Sequence, residues 1–234
     1  MDILKKIQLI IMGMLVIPMS YADNEISIEQ TGDALDLNIE QVGANNTFGM
    51  LDANSYITAT NLDLQIKQYN FTGTENKIFI DELSGSGNTI KLGQGIAWDN
   101  STAGYSYDGS EGGGHYIELD LYGNDNSVTW HQTNQGSTNG HDFDLHMAGS
   151  DNIVNGRQQG NGAKELNLTI YNSDNDVTLR QKGTWAAHSA NITLDGLYGT
   201  DLIFRQLGST TQTYNLSVDC VTVGGCSVTV EQGQ

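Results

Sequence analysis

The stretches NSVTWHQ at residues 126–132 and NDVTLRQ at residues 175–181 decide the fold of this chain. In both, an Asn is followed by apolar residues at alternate positions and then by a Gln. A period of two places the apolar side chains and the Gln on one face of a β-strand. Each copy is therefore predicted to be a strand with one buried face.

The same pattern recurs along the chain, and the closing Gln is its most regular mark. Most successive Gln spacings are 23 to 27 residues, which is typical of a solenoid coil and too short for TPR or ankyrin units. We expect the Gln side chains to point inward and to form a hydrogen-bonded ladder, the alternative being solvated turn residues. The expected ladder comprises Gln30, Gln41, Gln68, Gln94, Gln132, Gln158, Gln181, Gln206 and Gln232.

A second alternating strand precedes most copies, as at residues 117–123, 143–149 and 166–172, and a short Asn/Asp turn follows each of them. The unit is strand, arch, strand, loop. Since one unit cannot bury its apolar stripes alone, stacking predicts an all-β fold, a β-solenoid of about eight coils. The arch asparagines are expected to form a second ladder, or else to be ordinary turn residues. They are Asn24, Asn88, Asn126, Asn152 and Asn175.

The N-terminal segment, residues 1–22, is predicted to be a secretory signal peptide. Two lysines precede an apolar stretch, Leu9 to Met19, that is too short to span a bilayer, and cleavage is expected between Ala22 and Asp23. A membrane anchor is the alternative. The sequence thus predicts a secreted, extracellular protein without stable membrane insertion. Residues 23–234 are expected to form one repeat domain with a flexible loop inserted at residues 95–115.

Charge and motif content argue against several functions. With 28 acidic and 10 basic residues the net charge is −18, which opposes nucleic-acid binding. No nucleotide, triad or metal-ligand motif occurs, so we expect no enzyme, no cofactor and no metal site. The five histidines are expected at the surface, His131 and His146 on outward strand faces. Calcium at the turn residues Asp125, Asp151 and Asp174 stays an open alternative to plain turn chemistry.

Two cysteines, Cys220 and Cys226, lie on either side of the last arch. An exported chain meets an oxidising compartment, so we expect a disulfide between them; two free thiols are the alternative.

Two segments carry a family resemblance. Ile28-Glu-Gln30-Thr-Gly32 and the following Gln41-Val-Gly43-Ala-Asn45-Asn46 resemble curlin-associated repeats, and three later copies keep the Gln-x-Gly core. The resemblance implies a curli-type fimbrial subunit that builds amyloid fibres for adhesion, aggregation and biofilm matrix. It also implies as partners further copies of itself, a related subunit and an outer-membrane secretion channel. Family coils generally carry Gln in both strands, whereas most coils here carry it in one.

The C-terminal sequence 228–234 stops almost on its last strand. Since an uncovered sheet edge recruits other chains, we expect head-to-tail polymerisation. The alternative is a soluble solenoid adhesin that binds a ligand through Trp98, Tyr105, Tyr107 and the 95–115 loop.

Overall fold

The computed structural model describes most of the chain after residue 23 as β-structure. The described residues are 24–26, 30–32, 34–42, 45–49, 56–59, 61–69, 75–84, 87–94, 97–99, 104–106, 114–122, 125–134, 140–148, 151–160, 163–171, 174–182, 187–198, 200–208, 210–221, 223 and 225–233. The predicted signal peptide and its cleavage site lie outside them. None of the described residues belongs to a helix long and apolar enough to cross a membrane.

Within the described residues, twenty strands form two large parallel sheets and one hairpin. Sheet A contains β1 (Asn24–Ile26), β2 (Gln30–Gly32), β4 (Asn45–Phe48), β5 (Tyr56–Ala59), β7 (Glu75–Ser84), β11 (Tyr116–Tyr122), β13 (Asp142–Ala148), β15 (Lys164–Ile170), β17 (His188–Gly196) and β19 (Gln212–Cys220). Sheet B contains β3 (Leu35–Val42), β6 (Leu62–Tyr69), β8 (Thr89–Gln94), β12 (Ser127–Asn134), β14 (Ile153–Gly160), β16 (Asn175–Lys182), β18 (Thr200–Leu207) and β20 (Ser227–Glu231). The hairpin joins β9 (Ala97–Asp99) to β10 (Gly104–Ser106).

The chain alternates between the two sheets, so each strand pairs with the strand two elements later in the regular part. The arrangement is a β-solenoid, as the repeat predicts. Five regular turns run from β11 to β20, fewer than the eight coils expected. The strands before β11 extend both sheets less regularly, because β5 lies off the main path and the register shifts by a bulge between β7 and β11.

The core lies between the two sheets and consists of stacked apolar columns. Burial alternates along the strands, as in β18, where Leu202 and Phe204 are buried and their neighbours are exposed. One column of sheet B joins Leu64, Ile90, Val128, Val154, Val177 and Leu202 through successive register pairs. Fully buried aliphatic side chains supply the main driving force of folding.

The ladder positions expected for Asn24 and Gln30 were wrong. Asn24 and Gln30 lie in β1 and β2 of sheet A instead, because β3 pairs with β6 along its whole length and occupies the ladder position. In the predicted insertion at residues 95–115, the described strands β9 and β10 pair antiparallel.

Candidate functional site

The central polar feature is a ladder of glutamines inside the solenoid, here called the Gln ladder. Gln68 donates from Nε2 to Oε1 of Gln41 at 2.8 Å, and Gln94 donates in the same way to Gln68 at 2.9 Å. The same bond continues, at 2.8 to 3.1 Å, through Gln132, Gln158, Gln181 and Gln206. Every step runs from the later coil to the earlier one, so the ladder has a direction.

The second N–H of each ladder amide bonds the facing sheet. Gln132 donates to the carbonyl of Asp142 at 2.7 Å, Gln181 to that of Ser189 at 2.9 Å, and Gln206 to that of Thr213 at 3.0 Å. Each Gln therefore links its own strand to the previous coil and to the opposite sheet. A buried amide that makes these bonds avoids the desolvation cost of an unpaired polar group, and it holds the two sheets in register.

The ladder covers seven of the nine expected positions. Gln30 lies in sheet A, as described above. Gln232 follows β20 but is exposed, and its Nε2 lies 3.5 Å from the backbone carbonyl of Gln212. Within the described residues, Oε1 of Gln206 is therefore buried without a hydrogen-bond partner. The C-terminal end of the ladder presents an acceptor.

The arch asparagines are inward and buried at four of the five expected positions, Asn88, Asn126, Asn152 and Asn175. Asn126 donates to Asn152 at 3.3 Å, and Oδ1 of Asn88 accepts the backbone N–H of Leu62 at 3.2 Å. The fifth, Asn24, belongs to the opposite arch, where its register partner is Asn46. There Asn76 donates to Asn46 at 2.9 Å.

At this opposite arch lies a column of polar side chains whose functional group changes along the solenoid. It begins with amides, continues with imidazoles and one ammonium group, and ends on an amide; it is here called the arch column. Its members, aligned by register, are Asn24, Asn46, Asn76, His115, His141, Lys164, His188 and Gln212. The repeat did not reveal this column, because its residues lie just outside the alternating stretches.

Four of the five histidines are buried, which corrects the surface assignment. His115 and His141 are fully buried with their ring centroids 4.8 Å apart, and His131 lies beside them. Only His146, with its Nδ1 3.5 Å from the carboxylate of Asp120, keeps a partly exposed side chain.

Burial shifts the proton equilibria of this cluster. It lowers the pKa of His131 to about 3 and that of His141 to about 4, and neighbouring positive charges on Arg157 and Lys164 lower them further. The pKa of His115 is held well below 6.5 by burial first and then by His141. Neutral imidazoles are thus the stable form inside the fold.

Lys164 is a buried cation in the same column. Burial lowers the pKa of its ammonium to about 8, and Nζ donates to the carbonyl of Gly160 at 2.6 Å. Gln212, two coils later, makes the equivalent bond to the carbonyl of Gly208 at 2.8 Å.

The last coil differs from the others in the exposure of its inward side chains. Tyr214 and Val228 are 45% and 44% exposed, while Ala190 and Leu202, their register partners in the previous coil, are at most 2% exposed. No described element of the chain covers this end. An apolar sheet edge of this kind is a surface that other strands can add to.

A disulfide joins Cys220 and Cys226, with a Cα–Cα distance of 6.1 Å, and ties the end of β19 to the start of β20. It fastens the arch of the exposed last coil. The turn residues Asp125, Asp151 and Asp174 all have positive φ, in keeping with turn chemistry, and in the described part of the chain no group of three or more His, Cys, Asp or Glu forms a metal site.

The residues of the alternative adhesin hypothesis fall in the inserted hairpin. Trp98 and Tyr105 are directly opposite each other across β9 and β10, and Tyr107 lies outside the described residues. Searches against family models, curated proteins and solved structures found no match to this chain.

Proposed function

We propose that this chain is a secreted structural subunit that assembles head to tail, by strand stacking, into curli-like extracellular fibres. Such fibres would serve adhesion, aggregation and biofilm matrix. The observation that carries the proposal is the half-exposed apolar side of the last coil, whose residues continue the columns of the solenoid interior.

The first and last strands of sheet B match in pattern. Following the register along the sheet, Leu37 occupies the same column as Val228, and Ile39 the same column as Val230. Stacking β3 of one copy on β20 of another would therefore continue both apolar columns in register. In sheet A the same stacking would place Ile26 on Tyr214 and Asn24 on Gln212.

The polarity of the Gln ladder supports one relative orientation of stacked copies, head to tail. Its amides donate toward the N-terminal end, and Oε1 of Gln206 is an acceptor at the C-terminal end. Gln232, once turned inward, would bridge Gln206 and Gln41 of the added copy. One end of the ladder thus offers hydrogen-bond donors and the other end an acceptor. This favours head-to-tail addition, because two C-terminal ends facing each other would place two acceptors together.

The resemblance to curlin repeats supports the same function and supplies its cellular setting. It implies export through the periplasm and an outer-membrane channel, and a related subunit as a possible nucleator.

The test is polymerisation of the exported protein at micromolar concentration, followed by thioflavin T fluorescence and fibre diffraction. We expect a lag phase that preformed seeds abolish, and a meridional reflection near 4.7–4.8 Å. Val228→Lys should abolish elongation by placing a charge in the stacked column. Ile153→Lys is the matched control, because Ile153 is equally exposed, at 45%, but points outward from sheet B.

A protein that stays monomeric for weeks with β-rich circular dichroism would contradict intrinsic self-assembly. Equal loss of elongation in both lysine variants would show that stacking does not use the end of the solenoid.

A further inference from the structure

All three arginines of the chain stand in one column on the outer face of sheet B. Arg157, Arg180 and Arg205 are successive register partners in β14, β16 and β18, one coil apart. Like charges directly opposite each other on neighbouring strands destabilise a sheet. Anionic groups next to these three guanidinium groups would offset their mutual repulsion, and the chain itself has a net charge of −18.

The chain itself supplies little neutralisation of this Arg column. Arg205 lies 3.4 Å from the carboxylate of Glu231, and Arg157 donates to the side-chain oxygen of Gln159. Arg180, at the centre, has no ion pair in the described part of the chain, and its Nε is buried without a hydrogen-bond partner.

The opposite face of the same five coils is acidic. The outward positions of β11, β13, β15, β17 and β19 carry seven carboxylates and no Lys or Arg. These are Glu118, Asp120, Asp142, Asp144, Glu165, Asp195 and Asp219.

Several of these carboxylates crowd one another. Glu118 and Asp144 are register partners, as are Asp142 and Glu165. Burial and then the neighbouring carboxylates raise the pKa of both Asp142 and Asp144, His146 opposing the shift at Asp144. The acidic face is therefore also under repulsion that a row of cations would relieve.

We propose that solenoids associate side by side, with the Arg column of one copy docked on the carboxylate columns of sheet A of a second copy. The spacing supports a second copy as the occupant. The coils of both copies repeat about every 4.8 Å, because both are the same solenoid. Three successive strands of sheet A, β11, β13 and β15, each carry a carboxylate in one of two adjacent outward columns: Glu118 in β11, Asp142 and Asp144 in β13, and Glu165 in β15. Three arginines one coil apart can therefore each reach a carboxylate on these strands.

The size of the faces sets the strength of this contact. Five strands of seven residues span roughly 24 by 23 Å, so two docked faces bury about 1,100 Å², near the lower limit of specific interfaces. Two single copies would associate weakly, and their net charge opposes approach until salt screens it. In a fibre the contacts add up along the axis, so this inference, which rests on the proposed function for its setting, predicts lateral bundling of fibres.

The experiment is a carbodiimide cross-linking assay on the exported protein at about 0.15 M salt, where the Debye length is about 8 Å. Arg180→Lys supplies an amine that the reagent can couple to a carboxylate. A mixture of unlabelled and ¹⁵N-labelled protein identifies links between copies by mass spectrometry. We expect mixed-label links from position 180 to Asp142, Asp144 or Glu165. Links that scatter over all acidic residues, or that stay within one copy, would overturn the proposal.

Charge reversal provides the second readout. Arg180→Glu should reduce bundled fibres to single-solenoid width in negative-stain images, while thioflavin T kinetics stay unchanged. Lys91→Glu, the same charge change on the same sheet outside the Arg column, should leave the bundles intact. Mixing Arg180→Glu with Asp144→Lys should restore lateral contacts between the two variants. Bundles that persist in Arg180→Glu contradict the inference.

The two proposals fail separately. If no fibre forms at all, head-to-tail assembly is wrong, and mixed-label cross-links between soluble copies still decide the lateral contact. If the protein shows no copy-to-copy links even at higher concentration, while it binds an anionic polysaccharide such as alginate and Arg180→Glu abolishes that binding, the Arg column belongs to a different partner and the proposal is overturned.

Discussion

Trp130 lies in register with Gly156 of the next coil, and its indole ring fills the space that a side chain at position 156 would occupy. A Cβ added to Gly156 would lie 1.8 Å from the Trp130 ring. The same ring stacks on Phe143 of the opposite sheet with a centroid distance of 3.6 Å. The large Trp130 ring thus occupies the core volume of its own coil and also the volume left free by Gly156 in the next coil.

Gly156→Ala should therefore destabilise the fold, because neither the buried ring nor the sheet backbone can yield without disturbing the packed core. We expect the free energy of unfolding to fall by about 1–3 kcal/mol, the usual cost of overpacking. Urea denaturation followed by circular dichroism measures it. Combining the change with Trp130→Leu should recover part of the loss, and an additive double mutant would contradict this explanation.

Gln158→Ala should cost more than any outward substitution on the same strand. Gln158 donates to the side chain of Gln132 and to the carbonyl of Glu165, and it accepts from Gln181. Loss of these bonds and of the packing should lower the free energy of unfolding by roughly 2–4 kcal/mol. The neighbouring Gln159→Ala, an outward position, serves as the control and should change it by less than about 1 kcal/mol. Equal effects of the two changes would mean that the ladder adds little to stability.

Acid should destabilise the coils around His115 and His141. The pKa of His141 is about 4 in the folded protein, and an unfolded imidazole titrates near 6.5. The unfolded chain therefore binds more protons between these values. The free energy of unfolding is fully retained above pH 6.5 and falls as the pH drops toward 4, by up to about 1.4 kcal/mol per pH unit for each histidine.

The matched variants come from the arch column itself. His115→Asn combined with His141→Asn continues the amides of Asn46 and Asn76, and Asn tolerates the positive φ of position 141. This double change should reduce the dependence on pH in urea denaturation series, while His131 and His188 remain in place. His146→Asn, which removes a partly exposed imidazole, is the control for the substitution itself. An equal slope in wild type and double variant would rule out the rings of His115 and His141 as its cause.

Lys164→Gln should stabilise the protein at pH 7. The folded ammonium has a pKa of about 8, against about 10.4 for an unfolded lysine, so below pH 8 the fold carries a buried charge that costs free energy. Gln212 shows that an amide in this column makes the same bond to a carbonyl four residues earlier. We expect a gain of about 1–2 kcal/mol.

The control for that change is Lys182→Gln, at an exposed position of β16. It removes the same charge and should alter the free energy of unfolding by less than about 0.5 kcal/mol. Thermal or urea unfolding of both variants decides the matter. A loss of stability in Lys164→Gln would show that the ammonium makes interactions in this site that an amide cannot replace.

The alternation and the Gln spacing determined the solenoid, its strand faces and most of the Gln ladder. This was possible because a period of two assigns each side chain to a face without knowledge of its neighbours. The sequence also placed Cys220 and Cys226 on either side of the last arch, and the expected export favoured the disulfide that joins them. The ladder positions of Asn24 and Gln30 were not predicted correctly, because the alternating pattern does not state which strand occupies the first place in sheet B, and β3 occupies it.

Only the tertiary structure decided what depends on the order and contact of coils. It placed His115, His141 and Lys164 in one buried column, and it brought Gly156 under Trp130. It also showed that Arg180, at the centre of the Arg column, has no ion pair among the described residues. The reason is physical. The sequence pattern states which face a residue occupies, whereas the residue above or below it is set by the register between coils, and that register results from packing the whole stack.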